Sequence, residues 1–167
     1  HPTNFAGWDE LDVAVREVLV TMPAGTRLLA GNFKIGAELG FVRDDADIAV
    51  LAHPRNDKHG RAPQLAAWGL AHATRASLGP GPLLLVASSS DARFRELLEH
   101  YHALCRQVGP LPPPQVLNID HDRQRGAAPG IEDRPGFTDR GHHAHTGKVA
   151  LGDFVGHDKP DAVVTAV

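Results

Sequence analysis

The 167-residue chain is long enough for one domain with a hydrophobic core, and its 42% apolar and 22% charged residues are typical of globular proteins. This composition excludes an intrinsically disordered chain, and the net charge of −3 gives no general attraction to nucleic acid or to anionic membranes. The single cysteine, Cys105, excludes intramolecular disulfides and multi-cysteine zinc sites. The chain begins at His1 without an initiator methionine or a signal peptide, so we expect it to be a piece of a longer protein.

Periodicity in the first half of the chain predicts alternating helices and strands. The apolar face of a first helix consists of Trp8, Leu11, Val15, Val18 and Leu19. Arg27–Ala30 is a predicted short strand, and residues 32–41 form a second helix in which Phe33, Ala37 and Phe41 are four residues apart. Residues 47–52 are a predicted buried strand. An irregular basic stretch, 53–63, and a helical turn, 64–70, follow.

The second half contains the most apolar segment of the chain. Strong turn residues at 79–82 precede Leu83–Ala87, which we predict to be a central strand. A third helix, capped by Ser90 or Asp91, is predicted next. Its apolar stripe consists of Phe94, Leu97, Leu98, Tyr101, Leu104 and Cys105. After a proline-rich connector, residues 115–119 are predicted to form a further strand.

The short alternation of strands and helices over residues 4–120 predicts an α/β domain, with a small layered Rossmann-like sheet and crossover helices. Residues 121–167 form an irregular C-terminal extension that is polar and rich in histidine and glycine. Within this extension, 148–155 and 162–167 are candidate edge strands.

The densest polar cluster, residues 53–61, follows a predicted buried strand and should lie at the carboxyl end of that strand. Ligands of open α/β sheets usually bind there. The basic residues of the cluster are Arg55, Lys58 and Arg61. They outnumber Asp57, so the loop is suited to a phosphate or carboxylate. The alternative is a solvated loop in which Arg61 pairs with an acid at the edge of the core, such as Glu38.

The chain contains no complete catalytic or metal-binding motif. His53 and His59 are weak metal candidates, with hydrogen-bonding histidines as the alternative. A second group of weak candidates consists of His142, His143 and His145, for which adventitious metal binding is the alternative. We therefore predict no metal site, no cofactor and no catalytic residue. Trp8 and Trp68 are candidates for a sugar-binding platform, and packing in the core or in an interface is the alternative.

Three segments carry a resemblance to a known family. They are Ala-Gly-Asn-Phe-Lys-Ile-Gly-Ala-Glu-Leu-Gly-Phe at 30–41, the Arg61-x-x-Gln64-x-x-x-Trp68 pattern, and Phe-Ala-Gly-Trp-Asp-Glu-Leu at 5–11. In order and spacing they resemble the soluble C-terminal domain of bacterial membrane glycosyltransferases related to the protein O-mannosyltransferases and the lipid A aminoarabinose transferases. The resemblance covers residues 4–120, and Gly31 stands where relatives usually have an acidic residue.

This resemblance implies a parent protein with many transmembrane helices. Such a protein transfers a sugar from a polyprenyl-phosphate donor on the periplasmic side of the inner membrane. The catalytic acid of that family lies in a loop between membrane helices, so the resemblance implies that this fragment is inactive alone. The implied partners are the transmembrane part of the same polypeptide and a lipid-linked sugar phosphate, with no nucleic acid.

The resemblance also suggests that the 53–61 loop and Trp68 face the membrane-embedded active site. The predicted substrate or anion contacts are Arg55, Asn56, Lys58, His59, Arg61, Gln64 and Trp68. A competing hypothesis is a free-standing Rossmann-like enzyme or binding domain that holds a phosphorylated small molecule through the same loop. A third hypothesis is a purely structural or interaction domain.

Overall fold

The computed structural model describes residues 7–88 and 93–117, and the backbone of 162–166. These ranges contain five α-helices and six β-strands. In chain order they are α1 (Trp8–Val20), β1 (Arg27–Ala30), α2 (Phe33–Arg43), β2 (Ala49–Leu51), α3 (Pro54–Lys58), α4 (Ala62–Ala67), β3 (Ala71–His72), β4 (Leu83–Ala87), α5 (Leu97–Val108), β5 (Gln115–Leu117) and β6 (Ala162–Ala166). No helix in these ranges combines the length and the apolar character needed to cross a bilayer.

The six strands form one sheet in the order β3-β2-β1-β4-β6-β5. The first four strands are parallel, with Leu29 of β1 opposite both Ala49 of β2 and Leu85 of β4. This parallel sheet with interleaved helices confirms the predicted small Rossmann-like α/β fold. β6 runs antiparallel to both of its neighbours, β4 and β5.

The C-terminal strand differs from its prediction in position. A strand was expected at the edge of the sheet over 162–167, and Ala162–Ala166 does form one. It lies inside the sheet, however, so the predicted edge position is wrong. The place of a strand depends on partners that are distant in sequence, which local periodicity does not reveal. The other candidate edge strand, 148–155, lies outside the described residues.

The core lies on both faces of the sheet, and β4 is therefore buried along its whole length. Leu84 and Val86 pack on the side of α1 and α2, whereas Leu83, Leu85 and Ala87 pack on the side of α5. Burial of each leucine side chain contributes roughly 1.5–3 kcal/mol to stability. The central strand predicted at Leu83–Ala87 is therefore confirmed, with the same bounds.

Helix α2 packs directly against β2 of the sheet. The side-chain Oδ1 of Asn32 caps its first turn by accepting hydrogen bonds from the backbone N of Lys34 (2.8 Å) and Ile35 (3.3 Å). A β-carbon added to Gly36 would lie 2.8 Å from Cγ2 of Val50, closer than packed carbon atoms approach each other. Glycine at this position therefore allows α2 to rest directly on β2.

An acidic side chain joins α1 to α2. Asp12 is buried, and its Oδ1 lies 2.7 Å from Nη1 of Arg43 at the end of α2. Its other oxygen, Oδ2, lies 2.6 Å from Nη2 of the exposed Arg16, one turn further along α1. This arrangement fixes the C-terminal end of α2 and turns Arg43 toward α1.

The segment expected to be irregular, 53–63, contains all of α3 and the start of α4. Pro54 starts α3, where its missing N–H costs no hydrogen bond, and Nδ1 of His53 accepts a bond from the backbone N of Arg55 (3.1 Å). Arg61 is the N-terminal cap of α4, which runs over Ala62–Ala67, where the sequence predicted a helical turn over 64–70. The proposed caps of the third helix, Ser90 and Asp91, lie outside the described residues.

The only tyrosine provides a test of the packing of α5. Tyr101 donates a hydrogen bond from Oη to the backbone O of Leu111 (2.6 Å), and burial, together with the neighbouring Cys105, raises the pKa of its phenol above 10.0. The folded state therefore holds the phenolic proton more tightly than the unfolded state, so stability should fall as the pH rises above about 10.

We expect the ultraviolet absorbance of tyrosinate to show a titration midpoint above 10.0 in the native protein, shifting toward that value in urea. Because the chain has one tyrosine, the signal reports Tyr101 alone. Tyr101→Phe should abolish the signal and weaken the alkaline loss of stability. A native midpoint equal to the midpoint in urea would contradict the burial of this hydroxyl.

Candidate functional site

A cleft with a volume of about 760 Å³ opens between α2 and α4. Its walls come from α2, from the 44–48 loop that leads into β2, and from α4. The aromatic residues that line it are Phe33, Phe41 and Trp68. The polar side chains include Arg61 and Gln64 and the three aspartates of the loop, Asp44, Asp45 and Asp47. A cleft of this size that mixes aromatic and polar groups is typical of a ligand-binding site.

The two ends of the cleft differ in charge because of the way the chain runs through the sheet. Asn56 accepts a bond from the backbone N of Phe33, and its own backbone O accepts from Arg61 N, so Phe33 and Arg61 lie near each other at the carboxyl end of β1 and β2. At the opposite end, Val50 N donates to Leu70 O (2.8 Å), which places Asp47 and Trp68 at the amino ends of neighbouring parallel strands. We call the Arg61 side the basic end and the Asp47 side the acidic end.

Two of the cleft aromatics are unusually exposed for side chains of their size. Phe41 is 75% exposed and Trp68 is 62% exposed. Phe41 also meets the ring of Trp8 in an edge-on contact, with the ring centroids 5.6 Å apart. Large apolar groups that are grouped at the surface often mark a binding site. Trp68 is therefore not packed in the core, and it is not an isolated surface residue, because it lines the cleft.

Arg61 and Gln64 are held together at the start of α4. Nη1 of Arg61 donates to Oε1 of Gln64 at 3.0 Å. The alternative pairing of Arg61 with Glu38 is wrong, since the described contact of the Arg61 guanidinium is with Gln64. Glu38 lies on α2, with its Oε1 3.5 Å from Nζ of Lys34.

Asn56, which the sequence suggested as a ligand contact, is instead used inside the fold. Its side chain is buried, and Nδ2 donates to the backbone O of Leu51 (2.9 Å). Its Oδ1 accepts from the backbone N of Phe33 (2.9 Å). The amide thus joins the end of β2 to the start of α2, and both of its polar atoms have partners in the protein.

The remaining predicted contacts do not line the cleft. Arg55 and Lys58 lie on α3, whereas Arg61 is the N-terminal cap of α4, so the three basic residues do not form a single turn. Lys58 and His59 are exposed, and the ring of His59 lies 5.6 Å from that of Phe33. Of the seven predicted contacts, the structure brings Arg61, Gln64 and Trp68 to the cleft and leaves the other four outside.

The described residues contain no group of three or more histidine, cysteine, aspartate or glutamate side chains that could hold a metal ion. Nδ1 of His53 accepts a hydrogen bond from Arg55 N, so in the neutral ring the proton is on Nε2. A metal ion at Nε2 would displace this proton and leave the neutral ring protonated at Nδ1, which would break the cap. Its ring meets that of His100 edge-on, with centroids 5.8 Å apart. The other candidates, His142, His143 and His145, lie outside the described residues.

Sequence reasoning missed the α2 wall and the acidic loop as parts of the site. The signal for the α2 wall is the spacing of Phe33, Ala37 and Phe41, which all line the cleft, whereas Ile35 and Leu39 are buried against the sheet. A helix with apolar residues on two faces has one face left for a ligand or partner once the other packs on the core.

The chain matches no protein-family model, no curated protein and no solved structure. Its function has to be inferred from its own residues, and above all from those of the α2–α4 cleft.

Proposed function

We propose that this chain is the extracytoplasmic accessory domain of a polytopic membrane glycosyltransferase that uses a polyprenyl-phosphate sugar donor. In this proposal the domain has no catalytic residue of its own and presents the α2–α4 cleft to the membrane-embedded active site. One observation carries the proposal. The two segments that resemble the family, 30–41 and 61–68, are separated by β2 in sequence, yet both line this cleft.

The chemistry of the cleft suits this task. Aromatic rings such as Phe41 and Trp68 offer flat apolar surfaces for a sugar ring or an isoprenoid chain. The guanidinium of Arg61 is always charged and is suited to a phosphate, and Gln64 holds it in place from 3.0 Å. The domain would thus position the donor or the acceptor for a reaction whose catalytic acid lies in the membrane part.

The test uses the full-length protein from the reading frame that contains this chain, assayed in membrane vesicles with a polyprenyl-phosphate sugar donor. We expect Trp68→Ala to reduce sugar transfer about tenfold, equivalent to about 1.4 kcal/mol in the activation free energy. Leu98→Ala is the matched control, because Leu98 is also an exposed apolar residue but does not line the cleft. A reading frame without transmembrane helices, or equal transfer by the two variants, would refute the proposal.

A second candidate is a binding domain for a phosphorylated small molecule. It is favoured by the position of Arg55 and Lys58 on α3, directly after the carboxyl end of β2. Calorimetry with nucleotides and sugar phosphates at millimolar concentration tests it on the chain alone. Measurable binding that Lys58→Ala abolishes would support this candidate, and no heat at two different temperatures would count against it.

A further inference from the structure

We propose that the acidic end of the cleft binds its ligand through an alkylammonium group. The chemical class assigned to this ligand is an organic ammonium. The role of such a ligand in the cell rests on the proposed function. The site consists of two aromatic rings and three carboxylates, from Phe41, Trp68, Asp44, Asp45 and Asp47.

These residues come together from three elements of the fold. Phe41 lies in the last turns of α2, and Asp45 N donates to Gly40 O (3.0 Å), which folds the loop back against this helix end. Trp68 follows α4 and lines the same cleft, because β2 and β3 are parallel neighbours. Asp45 Oδ1 in turn accepts from Asp47 N (3.0 Å), which keeps the loop compact.

The negative charge of the 44–47 loop is not neutralised within the part of the chain that the structure describes. Among the residues that the structure describes, none of the three loop aspartates forms an ion pair. The nearest cation in sequence, Arg43, is bound to Asp12 on α1, with Nη1 2.7 Å from Oδ1. Arg61 lies at the opposite end of the cleft and donates to Gln64. The acidic end therefore attracts cations.

The kind of cation that suits the acidic end is an organic ammonium. Residues 44–47 do not form a group that could chelate a metal ion. An organic ammonium needs no such chelation, because it is held by the faces of aromatic rings together with nearby carboxylates. Trp68, at 62% exposure, and Phe41, at 75%, offer such rings within the same cleft. An anion would be repelled, and a neutral ligand would gain nothing from the carboxylates.

The test is a fluorescence titration of the chain. Trp8→Phe leaves Trp68 as the only indole and keeps an aromatic ring beside Phe41. We expect choline or ethanolamine to quench Trp68 with a dissociation constant on the order of millimolar, and added salt to weaken this binding. The neutral carbon analogue of choline, with carbon in place of nitrogen, should bind at least about fivefold more weakly. A preference for choline would indicate a quaternary ligand, and one for ethanolamine a primary amine.

The matched variants are Asp45→Asn with Asp47→Asn in the cleft, and Asp57→Asn on α3. All three carboxylates are exposed, and the side-chain amide introduced by Asp45→Asn would keep an oxygen that accepts from the backbone of residue 47. We expect the double variant to weaken choline binding at least about fivefold, with no effect of Asp57→Asn. Equal binding of choline and its carbon analogue, no quenching by either cation, or equal effects of the two sets of variants would overturn the inference.

The outcome is separable from that of the transferase assay. Ammonium binding without any sugar transfer by the full-length protein would retain this inference and refute the proposed function. Transfer that depends on Trp68, without ammonium binding by the chain, would retain the proposed function and refute this inference.

Discussion

Replacement of Asn56 by alanine is expected to lower the free energy of unfolding by about 2–6 kcal/mol. The substitution leaves two backbone groups without their partners, the O of Leu51 and the N of Phe33, at a buried junction between β2 and α2. Each unsatisfied buried group costs about 1–3 kcal/mol. Urea denaturation followed by circular dichroism measures the loss directly, as a lower midpoint with an unchanged slope.

Two control variants separate the structural role of Asn56 from the ligand role that the sequence suggested. Lys58→Ala removes an exposed side chain from the same short helix and should change stability by no more than about 0.5 kcal/mol. Asn56→Asp keeps an acceptor for Phe33 N but faces the O of Leu51 with a second oxygen, so it should be at least as harmful as alanine. A midpoint for Asn56→Ala equal to that of Lys58→Ala would show that the amide is not a structural element.

Replacement of Asp12 by alanine should cost about 2–3 kcal/mol of stability. The carboxylate is buried between two arginines, and its removal leaves Arg43, whose side chain is only 23% exposed, without a counter-charge. Arg16, at 62% exposure, is largely solvated, so Arg16→Ala should cost no more than about 0.5 kcal/mol. Thermal or urea unfolding of the three single variants, including Arg43→Ala, provides the comparison.

A double-mutant cycle tests which arginine provides the link between α1 and α2. The coupling energy of Asp12 with Arg43 should exceed that of Asp12 with Arg16, because the first pair is the better shielded from water. The coupling with Arg43 should also be less sensitive to salt. Two coupling energies that are equal and near zero would show that α2 is fixed by its apolar contacts and by Gly36 alone.

Sequence patterns predicted best the strands that have an apolar core on both faces. Arg27–Ala30 and Leu83–Ala87 are apolar strands of the parallel sheet, and both have the predicted bounds. Helix α2 was predicted, but its orientation was not, because apolar residues occupy two of its faces. Gly36 decides between them, since only a residue without a β-carbon fits against Val50.

Three of the seven contacts that the sequence suggested line the candidate cleft. Arg61, Gln64 and Trp68 follow helical spacing along α4 and its caps, and they line the cleft together. Grouping by closeness in sequence failed for Arg55 and Lys58, because the chain ends one helix and begins another before Arg61. The acidic loop lines the cleft with Trp68 because β2 pairs with β3. Local sequence patterns do not predict such a long-range contact.

The position of β6 sets an order for the assembly of the domain during synthesis. The four parallel strands, β1 to β4, lie within residues 27–87 and leave the ribosome early. This parallel part of the sheet can therefore form as soon as β4 has emerged. The far side of β4 receives its partner only when residues 162–166 have been made. Until then the nascent chain carries an open flank along its most apolar strand, where a chaperone or a neighbouring nascent chain would find the backbone groups that β6 later pairs.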